Sequence, residues 1–89
     1  MDKIKASFEE NGYMFNAKNE PLYSMIGAKA GAWFDKEGST KTVVYEYLSK
    51  SDLDKAMKEN EFMSDFEING LFALETSNED IKEVFKALK

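Results

Sequence analysis

Asn69-Gly70 lies between two short apolar runs, Phe66/Ile68 on one side and Leu71/Phe72/Leu74 on the other. Asn-Gly in that setting is a strong short-range signal for a tight reversal between antiparallel strands. It predicts a strand over 71–75 and an extended stretch in the second half of 62–68. A chain with a hairpin here needs a sheet, and a sheet needs partners for its edges and cover for its faces.

The clearest of those partners is 41–48, where Val43, Tyr45 and Tyr47 alternate with Thr42, Val44, Glu46 and Leu48. Period-2 alternation predicts a strand with one face in the core and the Glu46 face partly exposed. Trp33-Phe34-Asp35 precedes it across a loop over 36–40 containing Gly38, the pattern of a second hairpin. Tyr13-Met14-Phe15 is a candidate short strand. Helices are expected around this sheet. Ile4 and Phe8 share a face at i and i+4 in 2–11, with Gly12 as the stop. Ser51, with Asp52 and Asp54 after it, is the expected N-cap of a helix to about Glu59, whose buried stripe is Leu53, Ala56 and Met57. Thr76 and Glu79 have capping-box spacing ahead of a final helix. That helix carries Ile81, Val84, Phe85 and Leu88 as an amphipathic stripe, with Lys86 and Lys89 in its last turn. Pro21 suits the first position of a short helix with Leu22, Met25 and Ile26 on one side, and extended chain from Tyr23 to Phe34 is the alternative. The order predicts an α+β domain over 1–89: a small, mainly antiparallel sheet of three to four strands with helices packed on one face.

Composition narrows function more by absence than by presence. The 89 residues include no histidine, cysteine, arginine or glutamine, and all twelve basic residues are lysine. Histidine is the usual general base near neutral pH and the commonest transition-metal ligand. Cysteine would supply thiolate chemistry and zinc sites, and arginine the planar fork that grips phosphate or guanine. No catalytic motif, cofactor or metal site is expected. The local carboxylate pairs Glu9/Glu10, Asp52/Asp54 and Glu79/Asp80 suit helix starts and solvated helix faces. A net charge of −5 disfavours direct nucleic-acid binding.

The charge is uneven. Glu59, Glu61, Asp65, Glu67, Glu75, Glu79, Asp80 and Glu83 accompany a single lysine, Lys82, within 59–83. A solvated acidic surface is the plain interpretation, and an acidic face for a basic partner the sharper one. Gly27-Ala-Lys-Ala-Gly31 fails the phosphate-loop test, which needs four residues between the glycines and then Lys-Ser/Thr. It also lacks the long apolar context of a membrane helix pair. It is expected to mark a turn or a close approach of backbone before the hairpin at Trp33. Lys29, Trp33, Tyr45 and Tyr47 form the candidate binding surface.

"YSMIGAKAGAWF", "KTVVYEYLSKSDLDKA" and "EINGLFALET" together resemble a type of small domain from low-GC Gram-positive bacteria that often follows a lipoprotein signal. The resemblance implies an exported, membrane-tethered domain that binds something, and it transfers no catalytic residues. The chain departs from it in having no lipid-accepting cysteine and no signal pattern, since Met1 runs into Asp2, Lys3 and a polar helix. Location is therefore exported if a signal preceded the chain, and cytoplasmic otherwise. No run approaches a membrane span. The expected function is a non-enzymatic binding domain, possessing a protein or small-ligand partner, with oligomeric state open. The alternative is a small acidic inhibitor of phage type that mimics nucleic acid with its 59–83 acids.

Overall fold

A computed structural model describes residues 1–38 and 41–88. The chain runs α1 (Asp2–Glu10), β1 (Met14–Phe15), a 3-10 turn (Tyr23–Ile26), β2 (Ala30–Asp35), β3 (Thr42–Glu46), α2 (Lys50–Glu59), a second 3-10 turn (Glu61–Asp65), β4 (Glu67–Asn69), β5 (Phe72–Glu75) and α3 (Glu79–Ala87). The strands form one antiparallel sheet in the order β1-β2-β3-β5-β4. The α+β class and the antiparallel sheet are as expected. The strands number five, because both the Met14–Phe15 segment and the short β4 pair at the edges. Ser39 and Thr40 of the expected hairpin loop, and Lys89 of the final helix turn, lie outside the described residues.

The helices divide between the two faces of the sheet. Ala32, Phe34, Val44 and Leu74 point to one face, where Ile4 and Phe8 of α1 and Ile81 and Phe85 of α3 cover them. Val43, Tyr45 and Ala73 point to the other, under Leu53 and Ala56 of α2, with Ile26 and Met63 from the 3-10 turns. The expectation of helices on one face is replaced by this two-sided cover. For the same reason Thr42, Val43, Val44 and Tyr45 of the central strand are all buried. Alternation along β3 therefore sorts side chains between two cores and not between core and solvent.

Local signals resolve close to their expected places. β4 and β5 are joined by the two-residue loop Gly70-Leu71, with Asn69 paired to Phe72. Gly70 has φ +61° and Leu71 does not have positive φ, which puts glycine at the first central position, as a type II′ turn requires. Asn69 is thus the last residue of the strand. Its side-chain amide donates to the carbonyls of Phe85 and Leu88 at 2.8 and 2.7 Å, tying the end of α3 to the hairpin. α2 is capped by Ser49, not Ser51: its Oγ accepts the Asp52 N–H at 3.1 Å, three residues on. The Thr76–Glu79 capping box is replaced by Asn78 at the N-cap. Thr76 Oγ1 accepts the Asn78 N–H and bonds to Thr42 Oγ1 on β3, so it secures the helix to the sheet.

Candidate binding cleft

Gly31 explains how the site is built. It lies in β2 opposite Tyr45 of β3. A Cβ at Gly31 would stand 2.6 Å from Pro21 Cγ and 3.2 Å from Tyr23 Cβ. The missing side chain lets the 20–26 segment lie down on the sheet. Gly27 ends the 3-10 turn in the left-handed region, φ +73°, with the Ala28 N–H donating to Tyr23 O. The two glycines of Gly27-Ala-Lys-Ala-Gly31 therefore divide the expected roles, one turning the chain and the other allowing close approach. The expected short helix starting at Pro21 is a 3-10 turn beginning at Tyr23, and of Leu22, Met25 and Ile26 only Ile26 is in the core.

Between that segment and the second 3-10 turn lies a cleft of about 430 Å³. Trp33 and Tyr45 form its floor, and Lys41, Glu75 and Asn60 bring polar groups to it. Trp33, Val43 and Glu75 sit in one cross-strand row, since Trp33 pairs with Val43 and Val43 with Glu75. Lys41 Nζ lies 5.5 Å from the Trp33 ring centre and 3.4 Å from Glu75 Oε2. Tyr45 Oη donates to Glu75 Oε1 at 3.0 Å. Trp33 Nε1 donates to Asp35 Oδ1 at 3.1 Å, which ties the indole along its own strand.

The cleft walls are apolar and exposed. Leu22 is 74% exposed, Met25 75% and Phe62 57%, and all three line this one hollow. Two smaller hollows continue it. One shares Lys41, Phe62 and Glu75 with the cleft and runs on to Asp65 and Phe66, and the other shares Met25, Ile26 and Asn60 and runs on to α2. Sequence reasoning placed Leu22 and Met25 on one side of a short helix and Phe62 ahead of a strand. Their apolar character carried no sign of exposure.

Of the four expected surface residues, Trp33 and Tyr45 come together in the cleft, although Tyr45 is largely buried. Tyr47 does not contribute to a surface. It is wholly buried, and its hydroxyl donates to Ile26 O at 2.9 Å. The reason is that Tyr47 shares the face of Val43 and Tyr45, which Ile26, Leu53 and Met63 cover. Lys29 also lies apart, with its ammonium 3.4 Å from Glu46. Glu46 belongs to a separate hollow beside α1, lined by Ile4, Phe72 and Leu88.

The eight acids of 59–83 do not form one face. Glu59 is on α2, Glu61 and Asp65 on the second 3-10 turn, Glu67 on β4, Glu75 on β5, and Glu79, Asp80 and Glu83 on α3. Because α2 and α3 cover opposite faces, the acids spread around the molecule. Glu59, Glu67, Glu75, Glu79, Asp80 and Glu83 each lie within ion-pair distance of a lysine. Among the described residues, no three carboxylates gather as a metal-ligand group, and no helix is long and apolar enough to cross a membrane.

Three tyrosine hydroxyls are held protonated beyond the ordinary phenol range. Burial pushes Tyr47 up to about 12. Burial, then the hydrogen bond to Asp80 and its charge, push Tyr13 up to about 12. Burial first, then the charge and hydrogen bond of Glu75, push Tyr45 higher still. A folded-state pKa above the unfolded value of 10.0 gives stability that is whole below that pH and is lost as pH rises through the folded value. Tyrosinate absorbance from these rings is therefore expected to rise together with loss of near-ultraviolet dichroism, between pH 10.0 and about 12. Full ionisation of all the tyrosines near pH 10.0 with the fold intact would show that the rings are not buried.

No family model, no curated protein and no solved structure matches this chain.

Proposed function

We propose that the protein is a non-enzymatic binding domain whose recognition site is the cleft over Trp33 and Tyr45. One observation carries this reading: Leu22, Met25 and Phe62 expose more than half of their surface around a single hollow with an aromatic floor. Large apolar side chains gathered at one hollow lose hydration when a partner covers them, whereas scattered ones are ordinary surface. Trp33 beneath them supplies the kind of rigid aromatic anchor that concentrates binding energy. The polar groups at the cleft suit recognition and positioning, with Glu75 already satisfied by Tyr45 and Lys41.

Trp33 is the only tryptophan, so its emission reports on the cleft without labelling. Titration with a neutral hydrophobic dye is expected to raise dye emission and quench Trp33 in step. The double substitution Met25→Ser/Phe62→Ser removes two exposed walls and is expected to weaken dye binding about tenfold or more, as loss of a central anchor does. Both positions are exposed, so the melting temperature should hardly change. Equal dye affinity in the double variant would overturn the assignment of the site.

A further inference from the structure

We infer that the natural occupant of this cleft is a basic amphipathic segment of a protein partner, with one or two aromatic or aliphatic anchors flanked by lysine or arginine. This rests on the cleft being the binding site and adds what it selects. The cleft and its two extensions are bordered by five carboxylates, Glu20, Asp52, Glu59, Asp65 and Glu75, and by two lysines, Lys41 and Lys55. Three of the chain's five net negative charges therefore lie along one groove. Both lysines are already engaged within the chain, Lys41 with Glu75 and Lys55 with Glu59. Glu20, Asp52 and Asp65 have no lysine within ion-pair distance among the described residues.

The groove thus joins an apolar floor to an uncompensated negative rim. An apolar segment gains from the floor alone, and an acidic one is repelled at the rim. A basic amphipathic segment satisfies both, with attraction that hastens encounter and fixes its placement. The floor already shows how a cation is received, because the Lys41 ammonium sits between the Trp33 ring and the Glu75 carboxylate. An arginine or lysine from the partner can take that position, with Lys41 swinging out to solvent, since its side chain is half exposed. The acidity found in 59–83 then matters only where it reaches this rim, at Glu59, Asp65 and Glu75, together with Glu20 and Asp52 from outside that stretch.

The test uses the whole chain and three synthetic tryptophan-free peptides with the same leucine and phenylalanine anchors, flanked by lysine, serine or glutamate. Trp33 emission follows binding. The lysine-flanked peptide is expected to bind at least tenfold tighter than the serine-flanked one, and the glutamate-flanked one weakest. The preference should shrink as salt rises. Asp52→Lys/Asp65→Lys, which changes acids on the two extensions and not in the cleft itself, is expected to abolish or reverse the preference while leaving neutral-dye binding intact. Equal affinity for all three peptides, or a preference that survives the double substitution, would overturn the inference. So would dye binding with no peptide binding, which leaves the cleft as a site for a small apolar ligand. Loss of dye binding itself would instead defeat the assignment of the cleft.

Discussion

Phe8→Ala is expected to destabilise the domain by about 3–5 kcal/mol, the usual cost of emptying a large aromatic site in a core. Phe8 is wholly buried and is the meeting point of one core layer. Its ring centre is 4.8 Å from that of Phe34 on β2, 6.2 Å from Tyr13 and 6.5 Å from Phe85 on α3. Truncation leaves α1 with Ile4 as its remaining buried anchor. Domains of this size have only about 5–15 kcal/mol of stability to lose. Each kcal/mol lowers the melting temperature by about 4–8 °C. Thermal and urea melts followed by circular dichroism measure the effect. A loss below about 1 kcal/mol would show that α1 does not pack through Phe8. The cleft lies on the other face, so Phe8→Ala, held well below its melting temperature, should bind the neutral dye with unchanged affinity.

Gly31→Ala is expected to do the reverse, damaging the site more than its small size suggests. The new methyl would stand 2.6 Å from Pro21 Cγ, a ring atom that cannot rotate away. The strand cannot easily yield, because β2 is paired on this stretch to the central strand β3. The 20–26 segment must therefore lift, taking Leu22 and Met25 with it and opening the cleft. Overpacking of this kind costs about 1–3 kcal/mol. Dye and peptide affinity should fall about tenfold or more, matching the loss of a whole wall. Gly27→Ala is the useful contrast. Its added methyl meets nothing within 4 Å, and its φ of +73° imposes only the left-handed backbone penalty of about 1–2 kcal/mol. The two variants are expected to melt comparably and to differ in binding. Equal binding by both would show that the Pro21 contact does not shape the cleft.

The expected strands over 41–48 and 71–75, the Asn69-Gly70 turn, which falls one residue later at Gly70-Leu71, and the amphipathic final helix all appear within a residue or two of their expected bounds. Each rests on an interaction between near neighbours: alternation along a strand, a glycine at positive φ, or an apolar stripe at helical spacing. Misplacements occurred where a second partner competes for the same group, near in the chain or far from it. Ser49 and Ser51 both precede a helix-forming run, and Ser49 takes the cap because its Oγ reaches the Asp52 N–H. Thr76 has capping-box spacing, yet Thr42, far away in sequence, draws its hydroxyl to the sheet.

The candidate site was legible only in part. Trp33 and Tyr45 stood out as large aromatics on predicted strands, and Gly31 as a small residue among apolar ones. Leu22, Met25 and Phe62 did not, because an apolar side chain reads the same whether the fold covers it or leaves it out. Tyr47 has the same alternation as Tyr45 and shares its core, but its hydroxyl is held inside by Ile26 O where that of Tyr45 reaches Glu75 at the cleft.

From sequence alone came the α+β class, the antiparallel pairing and the lack of histidine, cysteine and arginine, since these depend on composition and on contacts a few residues apart. Tertiary structure alone decided that helices cover both faces of the sheet, that the 59–83 acids spread around it, and that three exposed apolar side chains surround Trp33. Those outcomes depend on where segments distant in the chain come to rest. Pro21 packs on Gly31 across nine intervening positions, and Phe62 approaches Trp33 only because α2 carries the chain back over the sheet.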